Sequence, residues 1–337
     1  MTDFYQLSSQ QQVLRLTALA HNALQEWAIE ARSITLIKYR ENAVFKVTTE
    51  HSRFALRIHR PGYHHSRALR SELLWLDALA EAGIPVPQVI PTSGGELCIR
   101  AEAPGVPEPR DVDLFAWIEG DMLSINAHTS SAQLTDTYRK IGEIAAQLHN
   151  QSSAWSPPAT FFRHAWDSEG LVGEAPFWGR FWEHPALSQS QRQLLLNARE
   201  KVAQTLATLD KSARHYSLIH ADFVPENLMQ DGAAVRLIDF DDAGFGWHMF
   251  ELATALFFHI RTPSYRDISS ALFAGYRSYR ALSAEDEKLL DTFLAARGFT
   301  YLGWLMDRAE TETARHNTQS HIDIACYQAQ KLLAEDK

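Results

Sequence analysis

Over residues 8–31 the large apolar side chains Leu14, Leu16, Leu24 and Trp27 recur among polar Gln, Arg and Glu, and this spacing predicts a helix. The period then shortens to two. Residues 33–39 and 44–49 read as strands joined by Arg40-Glu41-Asn42-Ala43. Residues 53–59 alternate cleanly, with Phe54, Leu56 and Ile58 on one face and Ala55, Arg57 and His59 on the other. Pro61-Gly62 ends that strand. Over 66–82 the period is helical again: Leu69, Leu73, Leu76 and Ala80 form an apolar stripe, and Gly83 stops it. Ile84-Pro85-Val86-Pro87 leads into further strands, with a turn at Gly94-Gly95 and a last strand near 113–118.

Beyond Glu119-Gly120-Asp121 the pattern changes to helices. They are expected over 135–149, 189–207, 250–259, 265–279 and 284–296. Strands before this point and helices after it predict an α+β chain of two parts, a small sheet-containing lobe over 1–118 and a larger, mostly helical lobe over 119–337. Between them in character lies 151–184, irregular and rich in aromatics: Trp155, Phe161, Phe162, Trp166, Phe177, Trp178, Phe181 and Trp182. These read as core packing for a long connection, with a ligand platform as the other reading.

Composition narrows the function. The 337 residues are 45% hydrophobic and 22% charged, as expected of a globular protein with a substantial core. A net charge of −9 without any Lys/Arg block argues against nucleic acid and anionic membrane as partners. The run 252–260 is far too short to span a bilayer. Met-Thr-Asp-Phe-Tyr-Gln-Leu lacks the basic-then-apolar pattern of a secretory signal. Cys98 and Cys326 lie too far apart in sequence to suggest a disulfide framework. Together these features lead us to expect a cytoplasmic protein.

Candidate chemistry concentrates between His220 and Asp242. The stretch contains His-x-Asp-x-x-x-x-Asn, a hairpin signal at Asp231-Gly232, then an apolar strand ending in Ile-Asp-Phe. In kinase-type phosphoryl transfer an Asp orients the attacking hydroxyl and accepts its proton. An Asn five residues on holds metal, and a second Asp beyond a hairpin holds metal against the phosphates. Those roles fall here on Asp222, Asn227 and Asp239. Taken singly, an Asp before a strand is often a turn former or helix cap. Three such groups in order, joined by the right connecting structure, point to chemistry.

This block resembles the catalytic segment of the aminoglycoside phosphotransferase and choline kinase superfamily, whose usual form is His-Gly-Asp-x-x-x-x-Asn followed by Ile-Asp-Phe or Ile-Asp-Leu. Ile238-Asp239-Phe240-Asp241-Asp242-Ala243 is similar to its bacterial homoserine-kinase-like and stress-response-kinase-like branch. Ala221 stands where Gly is usual, a change that matters only if the backbone there needs a positive φ. The resemblance implies a two-lobed, protein-kinase-like fold using ATP and Mg²⁺. It also implies a cation on the third strand and a helix Glu to hold it. Arg57 takes the place of the usual Lys, and Glu72, on the inward stripe of the next helix, is its expected partner; the other reading is an Arg at the sheet rim and an ordinary surface Glu. Glu41-Asn42-Ala43-Val44-Phe45 resembles the family's short loop. Asn42 then either helps cover ATP or belongs to a plain hairpin turn. Adenine is expected against backbone of 115–118, which includes Phe115 and Trp117.

The remaining acids and histidines carry less. His64, His65, His149, His215 and His220 lack the spacing of a zinc motif. His149 reads as a helix-end histidine, and His220 as an organiser of the loop near Asp239. The resemblance implies an acidic mouth that favours a cationic acceptor, with Glu226, Asp241, Asp242 and Glu251 as candidates and Asp307 and Glu310 placed there by the family's architecture alone. Asp241 and Asp242 read equally as part of a metal shell or as surface caps. The expected function is transfer of the γ-phosphoryl group to a hydroxyl of a small, amine-bearing acceptor. A Ser/Thr protein kinase of a stress response, a nucleotide-binding regulator without turnover, and a zinc hydrolase are the alternatives.

Overall fold

Leu16, Leu19, Ala20, Ala23 and Trp27 of the first helical segment are buried together with Phe45, Val47, Leu56, Ile58, Val112 and Leu114. The alternating face predicted for residues 53–59 is therefore the face that packs, and burying it is the driving force for this part of the fold. The computed structural model describes residues 4–39, 42–123, 129–232, 234–309 and 311–334. The chain runs α1 (Ser9–Ala23), β1 (Ser33–Tyr39), β2 (Ala43–Thr48), β3 (Arg53–Ile58), α2 (Ser66–Glu81), β4 (Cys98–Ala101), β5 (Arg110–Ala116) and a short β6 (Asp121–Met122). It continues with α3 (Ser131–Ala154), β7 (Ala165–Trp166), α4 (Ser168–Val172), α5 (Gln189–Thr208), β8 (Tyr216–Ile219), β9 (Leu228–Asp231) and β10 (Ala234–Leu237). Last come β11 (Gly244–Trp247), α6 (His248–Leu256), α7 (Tyr265–Arg277), α8 (Ala284–Lys288), α9 (Leu290–Met306) and α10 (Glu312–Ala334).

These elements form two compact units. The first takes residues 1–121, 157–162 and 229–241, and the second takes 122–156, 163–228 and 242–337. In the first, an antiparallel sheet has the order β1-β2-β3-β5-β4. Its register sets Arg57 opposite Asp113 on the face away from the α1 core. The helix α2 begins at an N-cap, His65, whose ring accepts from the Arg67 amide, and ends just before Gly83, which has φ +77°.

The second unit is mostly helical. α3 lies along α7 at very close range: a Cβ on Gly142 would meet the Leu272 carbonyl, and one on Gly275 would meet the Arg139 carbonyl. Glycine is required at both places because the backbones touch. A small sheet, β7-β11-β8, also belongs to this unit. Its strands are too short to show a period of two, so sequence patterning predicts only helices here. The expected helix over 8–31 is shorter than its pattern. α1 gives way to a 3₁₀ turn, Leu24–Trp27, and Ala28 ends it in the left-handed region at φ +53°. The expected helix over 284–296 is two helices, α8 and α9. In 151–184 the aromatics that matter most are core: Trp166 and Phe181 are fully buried, stacked on Phe250 and Phe299. Among the described residues no helix is long and apolar enough to cross a membrane.

Candidate active site

Alternation along β3 places Arg57 and His59 on the face opposite Leu56 and Ile58, where the inward stripe of α2 brings Glu72. Arg57 Nη2 donates to Glu72 Oε1 at 2.8 Å, so the predicted pair forms. The bidentate partner, however, is Asp113 of β5. Arg57 Nε reaches its Oδ1 at 3.0 Å and Nη2 its Oδ2 at 2.7 Å, while His59 Nε2 lies 2.8 Å from the same Oδ2. All four side chains are buried. Burial opposes ionisation of Asp113, yet the charge of Arg57, then that of His59, outweighs it and holds the carboxyl at about 2. Reasoning from sequence missed Asp113. The available signal was a carboxylate in the apolar run Val112-Asp113-Leu114-Phe115, expensive without a partner. Arg57 Nη1 makes no hydrogen bond among the described residues and is the guanidinium nitrogen left over.

The same unit carries the end of the Ile-Asp-Phe segment. β9 and β10 flank Gly232, whose φ of +57° suits the predicted hairpin turn. Asp239 follows β10 with φ +66°, its carboxylate 39% exposed and 3.6 Å from Lys38 Nζ. Phe240 is buried edge-on against Trp75. Asp241 is buried and accepts from Asn42 Nδ2 at 3.3 Å. Burial first, then the neighbouring Glu72, pushes its carboxyl up to about 6 against the pull of Arg57 and His59. The Asn42 side chain is committed at both ends, since its Oδ1 also accepts from the Arg60 amide at 3.1 Å. Arg40 and Glu41 of the expected loop lie outside the described residues. Phe115 is buried with Arg57 Cζ 5.1 Å from its ring centre, and the half-buried Trp117 ring lies under Lys46 Nζ at 4.5 Å.

In the second unit, the loop after β8 carries His220, Ala221 and Asp222. Glu251 of α6, fully buried, accepts from the His220 amide at 2.8 Å and the Ala221 amide at 2.7 Å. Glu251 therefore does not line an acidic mouth, as its position in the sequence suggested. It anchors the loop from beneath. Burial raises its pKa, opposed by His220 and by the two amide bonds. Ala221 takes φ +64°, the left-handed conformation in which the family's Gly is unstrained. The His220 ring bonds within its own loop, where Nδ1 accepts from the Asp222 amide at 3.2 Å; the sequence suggested a bond to the backbone near Asp239. His149 is not a helix-end residue. It lies inside α3, fully buried, bonded to the Tyr276 hydroxyl at 2.9 Å and stacked on His248 with ring centres 4.1 Å apart. Of the other acids in this unit, Glu226 and Asp307 are exposed. Glu310 lies outside the described residues.

Asp222 is held from both sides. Asn227 Nδ2 donates to its Oδ2 at 2.8 Å and to its backbone carbonyl at 2.9 Å. Arg297 Nη2, from α9, donates to Oδ1 at 2.7 Å. The carboxylate remains 26% exposed, and Arg297 is another partner that sequence reasoning missed. Because Asn227 uses its NH₂ on Asp222, its Oδ1 is the oxygen left without a hydrogen bond among the described residues. An oriented carboxylate beside a free amide oxygen is suited to holding a hydroxyl and a hard cation.

A model of the phosphotransferase enzyme family matches residues 34–284. The solved structure of a microcompartment-associated aminopropanol kinase is 31% identical, covers 95% of this chain and 98% of that one, and superposes with a TM-score of 0.84. Homoserine kinase of Pseudomonas aeruginosa is 28% identical over 308 residues, 85% of this chain and 89% of that protein. Amicoumacin kinase, solved in complex with AMP-PNP, Ca²⁺ and Ami, has a similar fold at 18% identity, with a TM-score of 0.74 over 95% of this chain and 94% of that one. The α+β architecture is thus that of the protein-kinase-like phosphotransferases. With the family matched across most of its length, the chain belongs to the phosphotransferase enzyme family and is an ATP-dependent kinase.

Proposed function

We propose that this kinase moves the γ-phosphoryl group of Mg·ATP to a hydroxyl of a small, amine-bearing acceptor in the cytoplasm. Asp222 orients the hydroxyl and accepts its proton. The observation that carries this reading is the Asp222 carboxylate itself, fixed on both oxygens yet still 26% exposed. Asn227 and Asp239 are the metal ligands. Mg²⁺ takes oxygen ligands, and the free Oδ1 of Asn227 and the part-exposed Asp239 carboxylate fit that need. When bound, the metal supplies charge neutralisation at the transferred group.

Arg57 is the phosphate-side cation, acting through Nη1, with Glu72 and Asp113 locking its plane. Adenine lies against the 115–118 backbone, with Phe115 and Trp117 beside it. With the Asn42 side chain committed to Asp241 and Arg60, its contribution to nucleotide cover is through backbone. Support for the acceptor class comes from the relatives: aminopropanol and homoserine both carry an amine and a hydroxyl. A nucleotide analogue and a divalent cation bound together to amicoumacin kinase support the Mg·ATP part.

The test is an ATP-consumption screen over amino alcohols, hydroxy amino acids, aminoglycosides, sugars and a generic protein acceptor, with Asp222→Asn as its control. Turnover is expected with an amino alcohol or hydroxy amino acid, and Asp222→Asn is expected to lower it by about 10²–10⁴-fold. Unchanged turnover in Asp222→Asn would remove the assignment of the base. Transfer to the protein acceptor alone would replace the acceptor class.

A further inference from the structure

Arg297 lies mid-helix in α9, fully buried beside Leu294, Ala295, Ala296 and Phe299. A guanidinium in such a place is costly unless compensated. Part of the compensation is aromatic: its Cζ lies 4.1 Å from the Tyr301 ring centre, 5.0 Å from Trp178 and 5.7 Å from Phe250. The directed bonds come from one nitrogen. Nη2 donates to Asp222 Oδ1 at 2.7 Å and to the Tyr301 hydroxyl at 2.8 Å. Nε and Nη1 are buried with no hydrogen-bond partner among the described residues.

That economy is unlike the arginines that tie this unit together. Arg199 bonds the Val172 and Gly173 carbonyls and Glu174, and Arg280 bonds the Ala213 and Arg214 carbonyls along with Asn150 and Ser153. A side chain kept for stability is normally bonded to protein groups at most of its donors, and two of those on Arg297 have no protein partner among the described residues. What Arg297 does make is a strong charge-assisted bond to the one carboxylate that faces the acceptor.

We infer that Arg297 is a positioning residue for Asp222. With Asn227 on Oδ2 and Arg297 on Oδ1, the carboxylate has one orientation, and Tyr301 fixes the guanidinium that imposes it. Rotation of a general base by a few tenths of an ångström lowers the rate of transfer without altering nucleotide binding. The role is thus visible in kcat and silent in KM for ATP. Since the buried guanidinium is poorly satisfied, an apolar residue of similar length is tolerated by the fold while the chemistry suffers.

This inference rests on the reading of Asp222 as the base. Its test uses the full chain with Arg297→Met, Arg297→Lys, Tyr301→Phe and Asp222→Asn in parallel. Transfer is followed both as slow ATP hydrolysis, with water as acceptor, and with the best acceptor from the screen. Arg297→Met is expected to lower kcat by about ten- to a hundredfold, leave KM for ATP within about twofold, and unfold at the same temperature or higher. Arg297→Lys restores part of the loss, and Tyr301→Phe, which keeps the ring, gives a smaller one. Unchanged kcat in Arg297→Met overturns the inference. So does a variant that fails to fold or melts well below the parent, since either marks a structural arginine. If Asp222→Asn is inactive while Arg297→Met is normal, this inference alone falls. If Asp222→Asn is active, the base assignment falls and takes this one with it.

Discussion

Ala221 carries a conformation its side chain does not favour. At φ +64° an L-residue brings Cβ against the carbonyl oxygen, and the strain is held because Glu251 binds the amides of His220 and Ala221. The condition under which the Gly-to-Ala difference from the family motif matters, a positive φ, is met. Ala221→Gly relieves the strain, with a looser unfolded chain and a lost buried methyl as offsets. Thermal unfolding is expected to show a gain of up to about 1 kcal/mol, and a lowered melting temperature would mean the strain is negligible. Nothing local in His-Ala-Asp reveals this φ. It comes from a carboxylate some thirty positions away in sequence, on another element.

Between elements, the decisive contact is the one that β3, α2 and β5 make through Arg57, Glu72 and Asp113. Half of it was legible. Strand alternation put Arg57 on the face away from the apolar residues, and helical spacing put Glu72 inward. Asp113 was not, because strand order is a tertiary property: β5 follows β4 along the chain but pairs with β3, and that register sets Asp113 opposite Arg57. Asp113→Ala leaves the buried Arg57 and His59 without their main counter-charge, with Glu72 as the one carboxylate still on Arg57 among the described residues. It is expected to destabilise by about 3–5 kcal/mol in denaturant unfolding, and a cost below 1 kcal/mol would show that Glu72 suffices.

For the whole molecule, the buried His149–His248 stack predicts how stability responds to acid. Burial, reinforced by Arg280, holds both rings well below the ordinary histidine pKa, and His149 depresses the stacked His248 further. The folded state therefore resists protonating them, while the unfolded chain takes up protons near pH 6.5. Their contribution is complete above pH 6.5 and is lost as pH falls below it. Asp241 and Glu251 run the other way, since carboxyl groups raised by burial lose stability as pH rises. A comparison with His248→Gln isolates the histidine. Below pH 6.5 the parent is expected to lose about 1.4 kcal/mol per pH unit more than the variant. Parallel pH profiles would show that His248 titrates normally.

The strands and helix of the first unit through α2, the alternating face of β3, the inward stripe of α2 and the choice of Asp222, Asn227 and Asp239 as candidates came from residue types and spacing. Those features depend on interactions within a strand, a turn or a helix, and such periods survive in one dimension. Which partners hold these side chains was not readable. Asp113 on Arg57, Glu251 beneath the Ala221 amide and Arg297 against Asp222 each join residues separated by many others, and no local period records them. They exist because each is a buried charge or an anchored backbone that has to find its complement once water is gone. That requirement is met by folding, and only in the folded chain can it be seen.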